Sequence, residues 1–387
     1  MLRALRTAPL ALAALLAAAP SSAAPGPEDV PKSEISAIVD MFYGHDFDRA
    51  APAAAALEAR HPGHPAGPLF QAVVEYQRWV AEGMREDGSW KAADRDLSRA
   101  VDAAKAFEKT SPAESHYYLG AALGFRARGL AAQHRFLRAV PDAASALKHL
   151  KKALELDPSL EDARLGLGMY HYFAARMPPA AKPFAHVLMG EPGDRAKGLA
   201  ELWTVANSNG VARMEARAVL SSILSKSDEA DWKGAEKLLA ELMARYPRNP
   251  LYRLRRAYVA ERLGELDRAA ALADPDGKWI ASLQPALRDN ARAWSRYRLA
   301  EIRLMQRRAD EAEKLLGLLD IDHAPKGLRP WIRLRRANLD DARGRRDAAR
   351  SGYEKIKERE AGVNARLFLG MPFPGGPRDF APYFSGY

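Results

Sequence analysis

The amino-acid sequence predicts an all-α fold, and two observations carry this expectation. From Ser33 onward the chain is rich in Ala, Leu, Arg, Glu and Lys, which favour helices, and strand patterns are nearly missing. Short Pro and Gly signals interrupt these stretches roughly every 15 to 25 residues, the spacing of successive helices. With 48% hydrophobic and 28% charged residues, the chain also carries enough apolar material to form a core.

The first residues predict a secretory signal peptide over residues 1–23. Arg3 and Arg6 precede an apolar run over residues 8–19, and Ser21 and Ala23 supply the small residues that favour cleavage after Ala23. A transmembrane anchor is the alternative, but a run of about a dozen residues is short of the roughly 20 that span a bilayer. We therefore expect an exported protein, periplasmic or secreted, with a linker over residues 24–32.

The absence of cysteine excludes several classes of site. With no Cys in 387 residues, the chain has no disulfide framework, no Cys-based metal site, no thiol nucleophile and no lipoprotein cysteine.

Amphipathic stripes followed by proline predict helices that end in turns. Ala235, Leu238, Leu239 and Leu242 fall at i, i+3, i+4 and i+7, and Pro247 follows shortly after. Residues 145–156 repeat this pattern before Pro158. Such units predict helix hairpins.

Internal repetition shows that one hairpin unit is reused. The motif Arg-Leu-Arg-Arg-Ala at residues 253–257 recurs at 333–337, and with the same offset Gly264 corresponds to Gly344. A looser copy at 296–300 lies between them.

These repeats resemble the tetratricopeptide repeat (TPR) family, in which two antiparallel helices pair in about 34 residues. Leu119-Gly120 and Leu167-Gly168 match the first-helix signature of that family. The resemblance covers about residues 33–357 and implies an α-solenoid of stacked hairpins. Small residues are expected where the second helix of each hairpin crosses the first: Ala50, Ala100, Ala146, Ala196, Ala235, Ala269, Ala312 and Ala349.

Unit spacing divides the array into two regions. The first three units are longer than the family standard and predict long helices, one of them over residues 114–139 before a partner that starts at Pro141. We expect a helical array with long repeats over residues 33–244 and basic repeats over 245–360.

The basic charge of the mature chain is concentrated in the second region. Residues 245–360 hold 28 basic and 18 acidic side chains, whereas residues 24–244 hold 27 and 30. One interpretation is a docking surface for an acidic partner or an anionic component of the envelope. The other is a solvated helix face with local ion pairs, which we favour. Export argues against nucleic acid as a partner.

No motif in the sequence points to catalysis or to a cofactor. Dinucleotide and phosphate-binding loops, His-Glu-x-x-His and Gly-x-Ser-x-Gly are all missing. His61 and His64 lie in one turn, but two ligands without a third do not make a metal site. We expect no enzyme activity, no cofactor and no metal.

The family resemblance implies a concave groove lined by first helices that holds a partner protein or peptide. Aromatic and arginine side chains carry much of the energy of such interfaces. The alternative for these residues, for Trp294 and Trp331 above all, is packing between hairpins. The partner-binding candidates are Tyr258, Arg262, Trp294, Tyr297, Glu301, Met305, Trp331, Asn338 and Asp341.

Residues 361–387 are expected to form a capping tail, because Pro, Gly and aromatic residues dominate from Met371 onward. A role in partner binding is the alternative for this tail. The whole sequence then predicts an exported TPR-like scaffold that binds a protein or peptide at the cell envelope. The alternative function is a periplasmic solute-binding component that works with a transporter.

Overall fold

The computed structural model describes residues 30–84, 89–177, 190–226 and 228–373, and within them the chain is all-helical, as predicted. Within these ranges, ten α-helices precede residue 250: α1 Lys32–Tyr43, α2 Phe47–Arg60, α3 Ala66–Ala81, α4 Ser89–Phe107, α5 Pro112–Ala132, α6 Phe136–Leu156, α7 Arg164–Ala175, α8 Arg195–Asn207, α9 Arg213–Leu224 and α10 Trp232–Arg245. Eight follow: α11 Pro250–Arg262, α12 Leu266–Leu272, α13 Lys278–Ala281, α14 Pro285–Met305, α15 Ala309–Gly317, α16 Arg329–Ala342, α17 Arg346–Glu354 and α18 Arg359–Gly370.

Consecutive helices pack as eight hairpins, which confirms the predicted all-α solenoid with a TPR-like fold. Hairpins 1 to 6 are the pairs from α1–α2 to α11–α12. Hairpin 7 is α14–α15 and hairpin 8 is α16–α17, whereas the short α13 links hairpins 6 and 7 and α18 follows the last one. One hydrophobic cluster runs through hairpins 1 to 6, and a second joins hairpins 7 and 8 to α18.

The turn inside most hairpins has the same backbone form. Its left-handed residue is Gly264 in hairpin 6 and Gly344 in hairpin 8, with φ of 83° and 73°. The next residue donates its N–H five residues back, as from Glu265 to Ala260 at 2.9 Å, which closes a Schellman-type helix end. The sequence match between Gly264 and Gly344 therefore marks a shared turn.

The predicted small residues lie on the second helices, and seven of the eight are buried where the helices cross. Ala196 is the exception, because it is exposed on α8. Gly198 takes its place: a methyl group there would meet the backbone of Gly168 and Tyr172 on α7. The prediction was two residues out of register in hairpin 4, because Gly198 permits an approach too close for alanine.

Helix lengths differ from the prediction in two places. The first hairpin has helices of ordinary length, 12 and 14 residues, whereas α5 and α6 each have 21. The segment 114–139 is not one helix. A turn at His134, which has a φ of 60°, separates α5 from α6, and Pro141 lies inside α6. The left-handed residue of this turn is a histidine and not a glycine, so the sequence alone did not indicate the turn.

The array curves back so that its first hairpins contact hairpins 5 to 7. Asp40 of α1 accepts hydrogen bonds from Arg245 at 2.6 Å and from Tyr246 at 2.6 Å, at the end of α10. In hairpin 7, Asn290 donates to the carbonyl of Ala81 at 2.7 Å. These contacts span more than 200 residues of sequence.

The helical array extends to Gly370, so the expected tail does not begin at residue 361. Helix α18 covers hairpin 8, where Arg346 donates to the carbonyls of Phe368 and Leu369 at 2.8 and 3.0 Å. Phe373 is buried, and its N–H donates to Asp341 at 2.9 Å. The cap is thus a helix, and residues 374–387 of the predicted tail lie outside the described residues, as does the predicted signal peptide.

Candidate functional site

The first five hairpins line a partly open cavity of about 300 Å³ on their inner face. The first helices of these hairpins, α1, α3, α5, α7 and α9, form its wall, and α6 closes one side. Large apolar side chains in this wall include Leu69, Phe70, Val73, Leu150, Met169 and Phe173. A mostly apolar cavity with a few polar groups is the usual form of a ligand-binding site.

Small residues on α5 create this space. Gly120, Ala121 and Gly124 all line the cavity. A methyl group at Gly120 would overlap Leu150 of α6, so glycine there permits close helix packing. At Gly124 the nearest atom to such a methyl group is the Cβ of Ala146, at 4.0 Å, so a side chain at this position has room to extend into the cavity.

Three side chains from three different hairpins form the polar end of the cavity. Glu215 of α9 is 6% exposed, and it accepts a hydrogen bond from the hydroxyl of Tyr43 on α1. Its other carboxylate oxygen accepts from Nη1 of Arg128 on α5 at 2.9 Å. Burial raises the pKa of Glu215 to about 7, so this carboxyl changes its charge near neutral pH.

Arg128 carries the positive charge of this end. Its guanidinium lies over the rings of Tyr76 and Phe125, with 5.6 and 5.2 Å to the ring centroids. Its Nη2 atom is buried, and no group in the described residues accepts a hydrogen bond from it. Part of the hydrogen-bonding capacity of this guanidinium is therefore unused within the described residues.

Asp162 also lines the cavity, but its hydrogen-bonding capacity serves the fold. Its carboxylate oxygens accept the N–H groups of Val211 and Ala212 at 2.9 and 3.2 Å, just before α9 begins. Burial raises the pKa of Asp162, although these two backbone hydrogen bonds act in the opposite direction. This carboxyl fixes the position of α9 against hairpin 4.

The nine predicted partner-binding residues lie elsewhere, on the first helices α11, α14 and α16. Two of them, Arg262 and Trp294, are half-buried. The remaining seven have buried side chains: Tyr258, Tyr297, Glu301, Met305, Trp331, Asn338 and Asp341. Neighbouring helices cover these seven side chains, including the second helix α17 at Asn338 and Asp341. Packing between helices therefore accounts for the seven, and partner binding at the nine positions stays a prediction.

A buried ion network joins the first helices of hairpins 6, 7 and 8. Arg298 of α14 pairs with Glu301 one turn along and with Glu261 of α11 at 3.4 Å, and Glu301 also binds Arg335 of α16. All four side chains are at most 1% exposed. Burial, together with the charge of Glu301, raises the pKa of Glu261. The network fills the inner face that the sequence predicted to be a groove.

The repeated arginine motif supplies part of this network. Its third residue is Arg255 in hairpin 6 and Arg335 in hairpin 8, and the looser copy places Arg298 there. These three arginines are 2%, 1% and 0% exposed. The third position of the motif is therefore an internal contact in all three copies.

Other arginines of the basic region bind backbone carbonyls, either in the loop between α15 and α16 or at the C-terminal end of α15. Arg329 donates to the carbonyls of Asp322 and Ala324 at 2.7 and 3.0 Å, and Arg336 donates to those of Leu316 and Leu319 at 3.2 and 2.9 Å. Cationic side chains stabilise helix C-termini in this way. These contacts favour a structural role for the excess charge over the docking surface.

The two histidines of the first proline-rich turn have a local role. The Nδ1 atom of buried His64 accepts the N–H of Ala66 at 3.1 Å, at the start of α3. Within the described residues, no group of three or more His, Cys, Asp or Glu side chains is placed to hold a metal ion. None of the helices in that same part of the chain combines the length and the apolar character needed to span a bilayer.

Comparison with known proteins found distant structural likenesses. No family model and no curated protein matches the chain. A solved tetratricopeptide repeat protein from Parabacteroides merdae shares 14% identity over 78% of this chain and 97% of its own, with a TM-score of 0.34. A likeness this weak carries no argument about function, and the TPR-like description rests on the hairpins of this chain.

Sequence reasoning missed Tyr43, Arg128 and Glu215, because residues from α1, α5 and α9 meet only when the array curves. One signal was available. Helix α5 contains three glycines at 120, 124 and 129, each of which costs helix stability of about 0.5–1 kcal/mol relative to alanine. Glycines at this density in a long helix indicate close packing or an open space beside it.

Proposed function

We propose that the protein is an exported, non-catalytic scaffold of the cell envelope that holds an apolar segment of a protein partner. The observation that carries this proposal is the apolar cavity between the first helices of hairpins 1 to 5. Curved arrays of helix hairpins present their inner face as a binding surface, so a TPR-like fold suggests a protein-interaction scaffold. Within the described residues, the inner face of the first half contains an open pocket, whereas that of hairpins 6 to 8 holds the buried side chains of Arg298, Glu301 and Arg335.

Photo-crosslinking in living cells tests the partner. A photoreactive amino acid replaces Met169, which lines the cavity, and a control variant carries it at Glu155, whose side chain is 65% exposed on the outer surface. We expect a discrete protein adduct from position 169 and none from position 155, identified by mass spectrometry. The same adducts from both positions, or none from either, would contradict a protein partner at this cavity.

Export is tested separately. The predicted signal peptide supports a periplasmic or secreted location. Fractionation of cells that express a C-terminally tagged chain should place the tag outside the cytoplasm, and N-terminal sequencing should begin at Ala24. An uncleaved chain in the cytoplasmic fraction would contradict the envelope role while leaving the cavity proposal open to its own test.

A second candidate function, a small-molecule binding component that works with a transporter, is supported by the polar end of the cavity. A few polar groups in an apolar wall orient a small ligand, and Arg128 and Glu215 are placed to do this. If this is the function, position 169 gives no protein adduct, and native mass spectrometry of the purified chain shows a bound small molecule.

A further inference from the structure

The turn of hairpin 3 exposes two large apolar side chains at its tip, which comprises residues 134–138. Phe136 is 58% exposed and Leu137 is 94% exposed, at the start of α6. No other large apolar side chain in the described residues is as exposed as Leu137. Apolar surface in water is unfavourable, and two such side chains next to each other indicate a contact with something outside the chain.

The tip has a fixed position on the array. The N–H of Arg135 donates to the carbonyl of Leu130 at 2.9 Å, which closes the turn between α5 and α6. Ala139, in the first turn of α6, is buried in the hydrophobic cluster of hairpins 2 and 3. The backbone below the tip is therefore anchored, and the two apolar side chains extend from it into solvent.

Positive charge accompanies these apolar side chains. Arg135 and Arg138, which belong to the tip, are both exposed. The sequence contains no acidic residue between Glu114 and Asp142, and Asp142 itself pairs with Arg126 at 2.7 Å. Two arginines on either side of an exposed apolar pair attract a partner that is negatively charged and has an apolar interior.

We propose that the tip docks on the surface of an anionic phospholipid bilayer. Phe136 and Leu137 enter the boundary between head groups and acyl chains, and Arg135 and Arg138 stay at the level of the phosphate groups. A fluid lipid surface accepts extended apolar side chains without a matching pocket. A stable protein interface covers about 800 Å² on each partner, which is more than two apolar side chains and two arginines expose.

This docking goes beyond the scaffold function and does not depend on it. None of residues 134–138 lines the inner cavity, so a chain on the membrane keeps that cavity available. Two inserted side chains and two arginines give reversible binding, since each contributes only a modest free energy. The electrostatic part weakens as salt screens the arginines.

Flotation of the purified chain with lipid vesicles tests the docking. We expect the chain to bind phosphatidylcholine vesicles that contain one third phosphatidylglycerol about 10-fold more tightly than pure phosphatidylcholine vesicles, because each arginine gains near an anionic surface. All proteins compared have the same N-terminus, so the apolar run over residues 8–19 contributes equally wherever it is present. Equal binding to both kinds of vesicle would overturn the proposal.

Replacement of the apolar pair tests insertion. The double variant Phe136→Ser and Leu137→Ser should bind the anionic vesicles at least about 10-fold more weakly, because the transfer of both side chains out of water is lost. Leu318→Ser is the matched control, since Leu318 is 60% exposed in the loop after α15, and it should bind as the original chain does. Thermal unfolding should be the same in all three proteins. Unchanged binding in the double variant, or an equal loss in the control, would contradict insertion at the tip.

Reversal of charge separates the tip from the basic region of the last three hairpins. Arg135→Glu combined with Arg138→Glu should weaken binding to the anionic vesicles by more than about 10-fold. The control reverses two exposed cations of the basic region, as Arg350→Glu combined with Lys355→Glu, and should weaken binding by less than about threefold. An equal or larger loss in the control would assign the binding to the basic region and refute the tip.

A single fluorescent label locates the contact. The chain has no cysteine, so Leu137→Cys creates one attachment site for an environment-sensitive fluorophore, and Leu318→Cys creates its control. The label at position 137 should shift to shorter wavelength on anionic vesicles and be quenched by brominated lipid, whereas the label at position 318 should stay as in water. The opposite result would place the contact elsewhere. A discrete protein adduct from a photoreactive amino acid at position 137 in cells, without vesicle binding, would assign the tip to a protein partner and refute the membrane; crosslinking from position 169 tests the scaffold function independently.

Discussion

The two halves of this protein use the same position in the hairpin for opposite purposes. In hairpins 1 to 5 the inner residues of the first helices are small or apolar, and they leave a cavity of about 300 Å³. In hairpins 6 to 8 the inner residues are long and charged, and Arg298, Glu301 and Arg335 fill the corresponding face. Hairpin repeats can therefore either pack their inner face or open it, depending on side-chain volume and charge at a few positions.

This difference inverts the expectation drawn from residue type alone. Arginine and aromatic residues are common in binding surfaces, and for this reason the sequence predicted a partner-binding site in the C-terminal half. Buried charges must be paired, however, and Arg298 and Arg335 find their partners on the neighbouring first helices. The half with fewer arginines is the half with space for a ligand.

Removal of Glu301, the acid shared by Arg298 and Arg335 in the ion network, should have the largest effect on stability. Glu301→Ala leaves Arg298 and Arg335 buried without this shared partner, which we expect to lower the free energy of unfolding by about 3–5 kcal/mol. Urea denaturation measures this loss. As a control, Glu311→Ala removes a partner of Arg303 at a site where the carboxylate is 39% exposed, and it should cost less than about 1 kcal/mol. Equal losses in both variants would show that the network is not the core of this half.

The carboxyl of Glu215, at the polar end of the cavity, should make the stability of the first half depend on pH. Its pKa is about 7 in the folded chain against 4.5 as the reference value, so the folded state holds a proton that the unfolded state releases. The stabilisation is complete below pH 4.5 and is lost as the pH rises to about 7, by about 3 kcal/mol at most.

Glu215→Gln removes this contribution. Subtracting the pH profile of the variant from that of the original chain, both measured by denaturation in urea, should leave a curve that falls between pH 4.5 and 7. Glu155→Gln, on the exposed surface, should leave the profile unchanged. A flat difference curve for Glu215→Gln would mean that this carboxyl is ionised in the folded chain throughout that range.

Gly124 and Gly129, five residues apart on α5, should show the smallest and most local contrast in stability. A methyl group at Gly129 would overlap the ring of Trp90, so Gly129→Ala should destabilise the chain by about 1–3 kcal/mol. At Gly124 the same change has room, and it should be neutral or stabilise by up to about 1 kcal/mol because alanine favours the helix. Thermal unfolding of the two variants ranks them, and a reversed order would place the open space on the other side of α5.

Much of the fold follows from local sequence signals. Apolar stripes, the recurring alanines and the matched pair Gly264 and Gly344 predict hairpins and their register, because helix periodicity and turn geometry depend on near neighbours. The two incorrect predictions of the fold also have local causes. At Ala196 the prediction failed because the close helix contact is made by Gly198. At His134 it failed because a residue other than glycine adopts the left-handed turn.

The candidate site could not be predicted from such local signals. Tyr43, Arg128 and Glu215 are separated by 85 or more residues along the chain, and they meet because the stacked hairpins bring α1, α5 and α9 together. No periodic pattern encodes the angle at which successive hairpins stack. Many small packing contacts between neighbouring hairpins together determine that angle.

By itself, then, the sequence determined that this chain is a series of helix hairpins, where the second helix of most of them crosses the first, and that its positive charge lies in the last three. Those properties depend on side-chain periodicity and on backbone preferences over a few residues. The tertiary structure alone decided that the array curves back on itself, that the arginines of one half are internal, and that the glycines of the other border a cavity. Burial and empty space are properties of how distant helices pack, so they exist only once the hairpins are stacked.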